Sequence, residues 1–283
     1  MKAMILAAGL GTRLKPLTDT RPKALVELSG RTLLEITLTR LRIFGVTEFI
    51  INVHHFADQV IAYLKSQKNF GLRIEISREE ILLDTGGGVK KAARFFLEDL
   101  KDLDEPFLLH NVDVISAIDL RAMLQFHTEH HALATLAVQS RESSRQLLFN
   151  NDLQLCGRRI AGKDTLVPPP HHSAIPDPQN PVISSEGRAL PLCAPSARRN
   201  LSSITLQPLA FSGIHVLSPR LLPLLTEDGI FSIIPSYLRL AAQGQKILAF
   251  RADQYYWRDL GRLSDLAQAA LDLQQNVFRG SEL

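Results

Sequence analysis

Cysteine is scarce: Cys156 and Cys193 are the only two in 283 residues. No metal-type spacing joins them, which argues against a disulfide framework or a structural zinc site and fits a reducing cytoplasm. Long hydrophobic runs are also missing. The N-terminal stretch MKAMILAAGLGTR turns to glycine after a few apolar residues, too soon to span a bilayer or to serve as a good signal peptide. It reads as a buried strand. The net charge is only +3, with no dense basic run and no nucleic-acid-reading motif, so neither a nucleic-acid partner nor a membrane is expected. No internal repeat is evident. With 45% hydrophobic and 22% charged residues, the chain has the means to bury a core of one large domain or two small ones.

Short apolar runs alternate with helical periodicity. Ala3–Ala7, Glu48–Val53, Arg73–Ser77, Phe107–Asn111, Ala134–Val138 and Leu209–Leu217 read as strands. Thr32–Phe44, Ala57–Gln67, Gly88–Phe96, Leu120–Glu129, Phe231–Gln243 and Leu263–Asn276 read as helices. That alternation predicts an α/β fold, a mainly parallel sheet covered on both faces, with ligands beyond the carboxyl ends of its strands. Between about Arg158 and Pro208 the pattern fails, because nine of the fifteen prolines fall between Pro168 and Pro208. This stretch reads as an excursion over the surface, or else as a lid or an oligomer contact. His171 and His172 within it carry no readable function.

The most informative segment runs from Leu6 to Leu25, LAAGLGTRLKPLT followed by RPKAL after two residues. A strand enters small residues and then a loop bearing Thr12, Arg13, Lys15 and, further on, Lys23. Glycines let backbone N–H groups approach phosphate oxygens closely. Arg13 can grip phosphate through its fork, and Lys23 adds a compact charge. GLGTR alone is a weak signal, since small residues after a first strand often only make a tight turn. It lacks both the G-K-[ST] ending of a phosphate-binding P-loop and the GxGxxG spacing of a dinucleotide fold.

The whole run, GxGTRLxPLTxxxPKxL, resembles the signature of the sugar-1-phosphate nucleotidyltransferases, which include mannose-1-phosphate guanylyltransferases, glucose-1-phosphate thymidylyl- and uridylyltransferases, and the compact N-acetylmuramate-1-phosphate uridylyltransferase type. The resemblance covers residues 1 to about 155 and resumes from about 209 to 272. It implies a Rossmann-like three-layer sandwich of the GT-A-like kind, one domain over 1–283 with a proline-rich insert at about 158–208. It implies a reaction in which a nucleoside triphosphate, UTP or GTP foremost, joins a sugar 1-phosphate and releases pyrophosphate with Mg²⁺. Ala7, Ala8, Gly9, Gly11 and Thr12 would bind the nucleotide, with Arg13 and Lys23 on its phosphates.

Two further segments complete the expected site. Asp84-Thr-Gly-Gly-Gly88 suits either a backbone packed on a flat ligand or a tight turn with Thr85 as helix cap; the resemblance assigns Gly86, Gly87 and Gly88 to base and ribose. Glu79 and Glu80, just upstream, read as facing either the sugar or solvent, with solvent expected for both. In Phe107-Leu-Leu-His-Asn-Val-Asp113 an apolar strand ends in a carboxylate, which suits a hard cation among phosphate oxygens but also a helix cap. By resemblance Asp113 is the metal ligand, Asn111 touches the sugar with Gly213, and Val112 stands where glycine is usual. Tyr255-Tyr-Trp-Arg-Asp-Leu-Gly261 resembles the family's W-x-D-x-G segment and makes Asp259 the second metal ligand, with Arg262 where Thr is common. Asn52, His54 and His55 follow the second strand; no third metal ligand with suitable spacing accompanies the histidines.

Overall fold

In a computed structural model the residues described are 1–98, 105–168, 205–275 and 277. The first strand, β1 (Lys2–Leu6), lies between β4 (Glu48–Val53) and β6 (Phe107–Asn111), parallel to both, and β5 (Arg73–Arg78) extends β4 in parallel. These central strands read as near-continuous apolar runs because both of their faces are covered. Ala3 and Ile5 face one hydrophobic cluster and Met4 the other, as the two-residue strand period requires. On the first face pack α1 (Leu33–Ile43), α2 (Ala57–Ser66), α5 (Leu120–Glu129) and α7 (Leu263–Gln274); on the second pack α3 (Asp84–Lys91), α4 (Ala93–Leu97) and α6 (Ile233–Ala242). The expected three layers are therefore present.

Beyond β6 the direction reverses. The long strand β12 (Gln207–Leu217) runs antiparallel to β6 and to β8 (Ala134–Gln139), and β13 (Ile247–Arg251) pairs with β8 in parallel. The first residues of β12 pair instead with β9 (Arg145–Phe149), which continues into β10 (Leu155–Ile160) and β11 (Lys163–Leu166). At its start, the stretch expected to be irregular from Arg158 is regular instead. Arg158 to Leu166 belong to an antiparallel hairpin whose polar, charged residues lack an apolar alternation long enough to announce it. The strand β9 also went unread, because its serine-rich approach and arginine mask a three-residue apolar run. The remaining prolines before Pro208, together with His171 and His172, lie outside the described residues, apart from Pro168.

Two short ribbons hold loops in place: β2 (Glu27–Leu28) with β3 (Arg31–Thr32), and β7 (Val114–Ser116) with β14 (Trp257–Asp259). The helix starts follow local chemistry. Thr32 caps α1 by accepting the N–H of Glu35, and Asp119 caps α5 by accepting those of Arg121 and Ala122. The register brings Leu6, Asn52, Ser77 and Asn111 level with one another. The loops after all four parallel strands consequently open on one sheet edge. Antiparallel β12 delivers Gly213 to the same edge from the other direction, since Ile214 pairs with His110.

Candidate active site

The glycine-rich loop leaves β1 at that edge. Its first backbone donor, the Ala7 N–H, bonds to the Asn52 side-chain oxygen at 2.8 Å, and the Asn52 amide donates to Glu79 at 2.7 Å. The other Glu79 oxygen accepts the Leu83 N–H at 3.0 Å. Glu79 is therefore 2% exposed, contrary to the expectation that it faces solvent. Burial of the carboxylate is offset here by two hydrogen-bond donors, the Asn52 amide and the Leu83 N–H. Glu80 is exposed as expected, and His54 bonds through Nδ1 to the Glu79 carbonyl at 2.9 Å. Among the described residues no group of three or more potential metal-binding side chains occurs.

Past Ala7 and Ala8, which are buried, Gly9 is open and Gly11 turns the chain with a φ of +65°. A side chain at Gly11 would meet the Thr18 methyl at 2.9 Å, and the Thr18 hydroxyl donates to the Gly11 carbonyl at 2.8 Å. Only glycine fits that turn without strain. Leu14 anchors the loop in the core and leaves Thr12 and Arg13 exposed. The Arg13 guanidinium lies over Gly261: a Cβ there would stand 2.6 Å from Nη2 and 2.6 Å from the Asp259 carboxylate.

The two acidic residues meet through the β7–β14 ribbon. Asp259 pairs with Val114, and the Leu260 N–H bonds to the Asp113 carbonyl at 2.7 Å. The chain thus sets the two aspartates side by side although they are far apart in sequence. Burial, reinforced by the nearby charge of Asp113, holds the Asp259 carboxyl above the usual range; Lys23, the Gly261 N–H and Arg13 act the other way. Lys23 Nζ forms an ion pair with Asp113 Oδ2, both side chains being 12% exposed. Asp113 does not cap a following helix; it is followed directly by β7. A pair of facing carboxylates with a cation already drawn to one of them is a donor set that fits a hard divalent ion. Val112 turns into the apolar core at 3% exposure, so its side chain does not stand between the strand end and a ligand.

Beside this group lies a cleft of about 1380 Å³, lined among others by Arg13, Asn111, Gly213, Trp257, Asp259 and Arg141. Gly213 has a φ of +76°, and a Cβ there would approach the Asn111 amide at 2.8 Å, so the two expected sugar contacts are neighbours. Gly86, Gly87 and Gly88 differ from the expectation of a glycine face packed on a flat ligand. They are buried within α3, where side chains would meet the Phe231 ring at 2.3 Å, the Gly229 carbonyl at 2.5 Å and Glu79 at 3.0 Å. The physical reason is a tight crossing: the N–H groups of Gly86 and Gly87 both bond to the Phe231 carbonyl. Thr85 does not cap this helix, which starts one residue earlier; Asp84 and Thr85, not the glycines, face the cleft.

Arg141 is the residue that sequence reading missed. It follows β8 at the same edge, stacks 3.9 Å above the Trp257 ring and donates to the Phe211 carbonyl at 2.7 Å. Burial lowers its pKa while the Asp259 charge opposes that shift. The one available signal was its position just after a buried strand that ends at the carboxyl edge, the same signal that singled out Asp113. Arg262 is exposed at the start of α7 and also lines the cleft.

Comparison with known proteins matches residues 2–147 to the family described as "Nucleotidyl transferase". The N-acetylmuramate alpha-1-phosphate uridylyltransferase of Caulobacter vibrioides is 32% identical over 246 residues, 86% of this chain and 85% of that protein. The mannose-1-phosphate guanyltransferase of Aspergillus fumigatus is 37% identical over 139 residues, 49% of this chain but only 37% of that longer protein. A UDP-glucose pyrophosphorylase solved with UDP-glucose shares the fold, with a TM-score of 0.68 at 15% identity over 97% of this chain and 98% of that one.

Proposed function

Since this chain belongs to the sugar-1-phosphate nucleotidyltransferase family, we propose that it joins UTP to a sugar 1-phosphate through the four charged residues gathered at one sheet edge. The convergence of Arg13, Lys23, Asp113 and Asp259 carries this reading. Similarity over most of its length to a uridylyltransferase favours UTP; a GTP-using reading rests on the similarity to a guanyltransferase, which spans the first half alone.

The chemistry follows from charge. A sugar 1-phosphate is close to dianionic at neutral pH, because the second phosphate pKa is about 6. Its oxygen is a nucleophile without a general base. It attacks the α-phosphorus, the bond to the β-phosphate oxygen breaks, and pyrophosphate leaves with the electron pair. The barrier is the approach of two anions and the charge that develops on the leaving group. Mg²⁺ held by Asp113 and Asp259 would supply neutralisation of the phosphate oxygens at the reacting centre. Arg13, projecting from the glycine loop over Gly261, stabilises the triphosphate and the departing pyrophosphate. Lys23 balances Asp113 and orients the phosphate brought beside it. Arg141, fixed by Trp257 and the Phe211 carbonyl, supports the acceptor's phosphate from the opposite wall. Catalysis is then positioning and electrostatics in a partly desolvated cleft.

The test is pyrophosphate release from the five common triphosphates, each against a panel of sugar 1-phosphates. UTP is expected to give the highest kcat/KM. Asp113→Asn should lower kcat by about a hundredfold or more while leaving the melting temperature near that of the parent. Parent-like turnover in that variant at limiting Mg²⁺ would remove the metal assignment.

A further inference from the structure

The wall of the cleft that faces away from the phosphate loop carries charge that the reaction just described does not use. Arg145 on β9 and Arg158 on β10 both line it. In this antiparallel pair Ile160 lies opposite Arg145 and Arg158 opposite Leu147, so the two arginines share one face as diagonal neighbours. Neither guanidinium has a salt bridge or hydrogen-bond partner among the described residues, whereas Arg159, one step along on the other face, is held by Asp164 through bonds of 2.6 and 2.9 Å. Arg158 Nε is moreover buried without a partner, as is Arg141 Nε further along the same wall. Buried donors are ordinarily satisfied, and leaving one bare costs free energy. Two like charges at diagonal positions repel as well. An anion bridging them answers both conditions.

We propose that Arg145 and Arg158 form a second anion site which reads an acidic group carried by the acceptor sugar itself, in addition to its 1-phosphate. This rests on the nucleotidyltransferase reading and deepens it. The acceptor's reacting phosphate is drawn toward the cations Lys23 and Arg141, and the cleft continues from Asn111 and Gly213 to the β9–β10 hairpin. A sugar laid along that path presents its ring substituents to the hairpin. A neutral ring would leave the two arginines without a hydrogen-bonding partner; Glu142 also lines the cleft but forms no salt bridge with either. A carboxylate or a second phosphate on the ring meets the guanidinium fork with charge-assisted hydrogen bonds. The same arrangement discriminates against neutral sugars, because they leave the buried donor unpaired.

The experiment compares a matched series of acceptors: N-acetylglucosamine 1-phosphate, its carboxylate-bearing counterpart N-acetylmuramate 1-phosphate, and glucose 1,6-bisphosphate beside glucose 1-phosphate. Turnover is read by pyrophosphate release, and binding by calorimetry without triphosphate. The parent protein is expected to favour the member with the extra anion by roughly ten- to a hundredfold in kcat/KM and in Kd. In Arg158→Gln, and more fully with Arg145→Gln added, that preference should collapse toward unity through a rise in KM for the acidic acceptor. Which source supplies the anion is decided by whether the carboxylate or the bisphosphate pair shows the larger preference. Equal use of neutral and acidic acceptors by the parent, or a preference untouched by both substitutions, overturns the proposal. Absence of pyrophosphate release with every acceptor would count against the reaction itself. Calorimetry still decides the anion site in that case, since an acidic acceptor that binds no better than its neutral partner refutes it.

Discussion

Arg13 and Gly261 act as one unit. Glycine at 261 leaves the space in which the Arg13 guanidinium lies, and its N–H bonds to Asp259 Oδ1 at 2.6 Å. Arg13→Ala removes charge stabilisation of the leaving group and is expected to lower kcat by about 10²–10³-fold. Gly261→Ala keeps every charge but pushes the guanidinium and the carboxylate aside, with an expected loss of about a hundredfold. Because both changes damage the Arg13 contact while only Gly261→Ala crowds Asp259, the double variant should lose less than the product of the two single losses. Steady-state kinetics on the three variants checks this; multiplicative losses would show that the two residues work independently. Arg13 and Asp113 were legible at this scale because each follows a buried strand, and Asp259 through the resemblance of its W-x-D-x-G segment. Glu79 was not: a charged side chain after a strand usually meets water, and only the Asn52–Ala7 link explains its burial.

At the scale of elements, α3 shows how a glycine run can serve packing. Gly87 crosses the Gly229 carbonyl so closely that a methyl would stand 2.5 Å from that oxygen and 2.9 Å from Leu83 Cβ, neither of which can swing away. Gly87→Ala should therefore destabilise the fold by about 1–3 kcal/mol, read as a lower urea midpoint at unchanged slope. If the midpoint were to hold steady, the crossing would be looser than these distances imply. Most elements were legible from periodicity: β4, β6 and α5 occupy the ranges read from sequence. The hairpin β10–β11 was not, since β11 is exposed throughout and β10 is mostly polar or charged, which leaves no long apolar alternation to reveal the pair.

For the molecule as a whole, three buried histidines tie stability to pH. Burial, with help from Arg40, pulls His110 down to about 4; burial and Arg220 pull His127 to about 4; burial and the neighbouring His110 pull His215 to about 3. All are neutral in the fold, whereas the unfolded chain protonates them below about 6.5. Unfolding thus takes up protons between those values. The stability these groups contribute is complete above about pH 6.5 and is lost as pH falls toward the folded values, by up to about 1.4 kcal/mol per pH unit for each. Urea midpoints should accordingly be flat above pH 7 and drop steeply between pH 6.5 and 4. A midpoint that does not move across that window would contradict neutral burial.

Sequence alone pointed to the reaction class, through the resemblance of the run from Gly9 to Leu25 to a family signature, and to the alternating layers, through strand runs and helical spacing. It also marked Asp113 and Asp259 as candidates. Only the tertiary structure decided that these two stand side by side, since their meeting depends on the pairing of β7 with β14 and on the Leu260–Asp113 bond. It decided likewise that the glycine run packs on Phe231, and that Arg141, Arg145 and Arg158 share one wall. The reason is common to all three. Periodicity tells which face of an element is apolar, but which elements become neighbours follows from sheet order and register, set by the fit of the whole core.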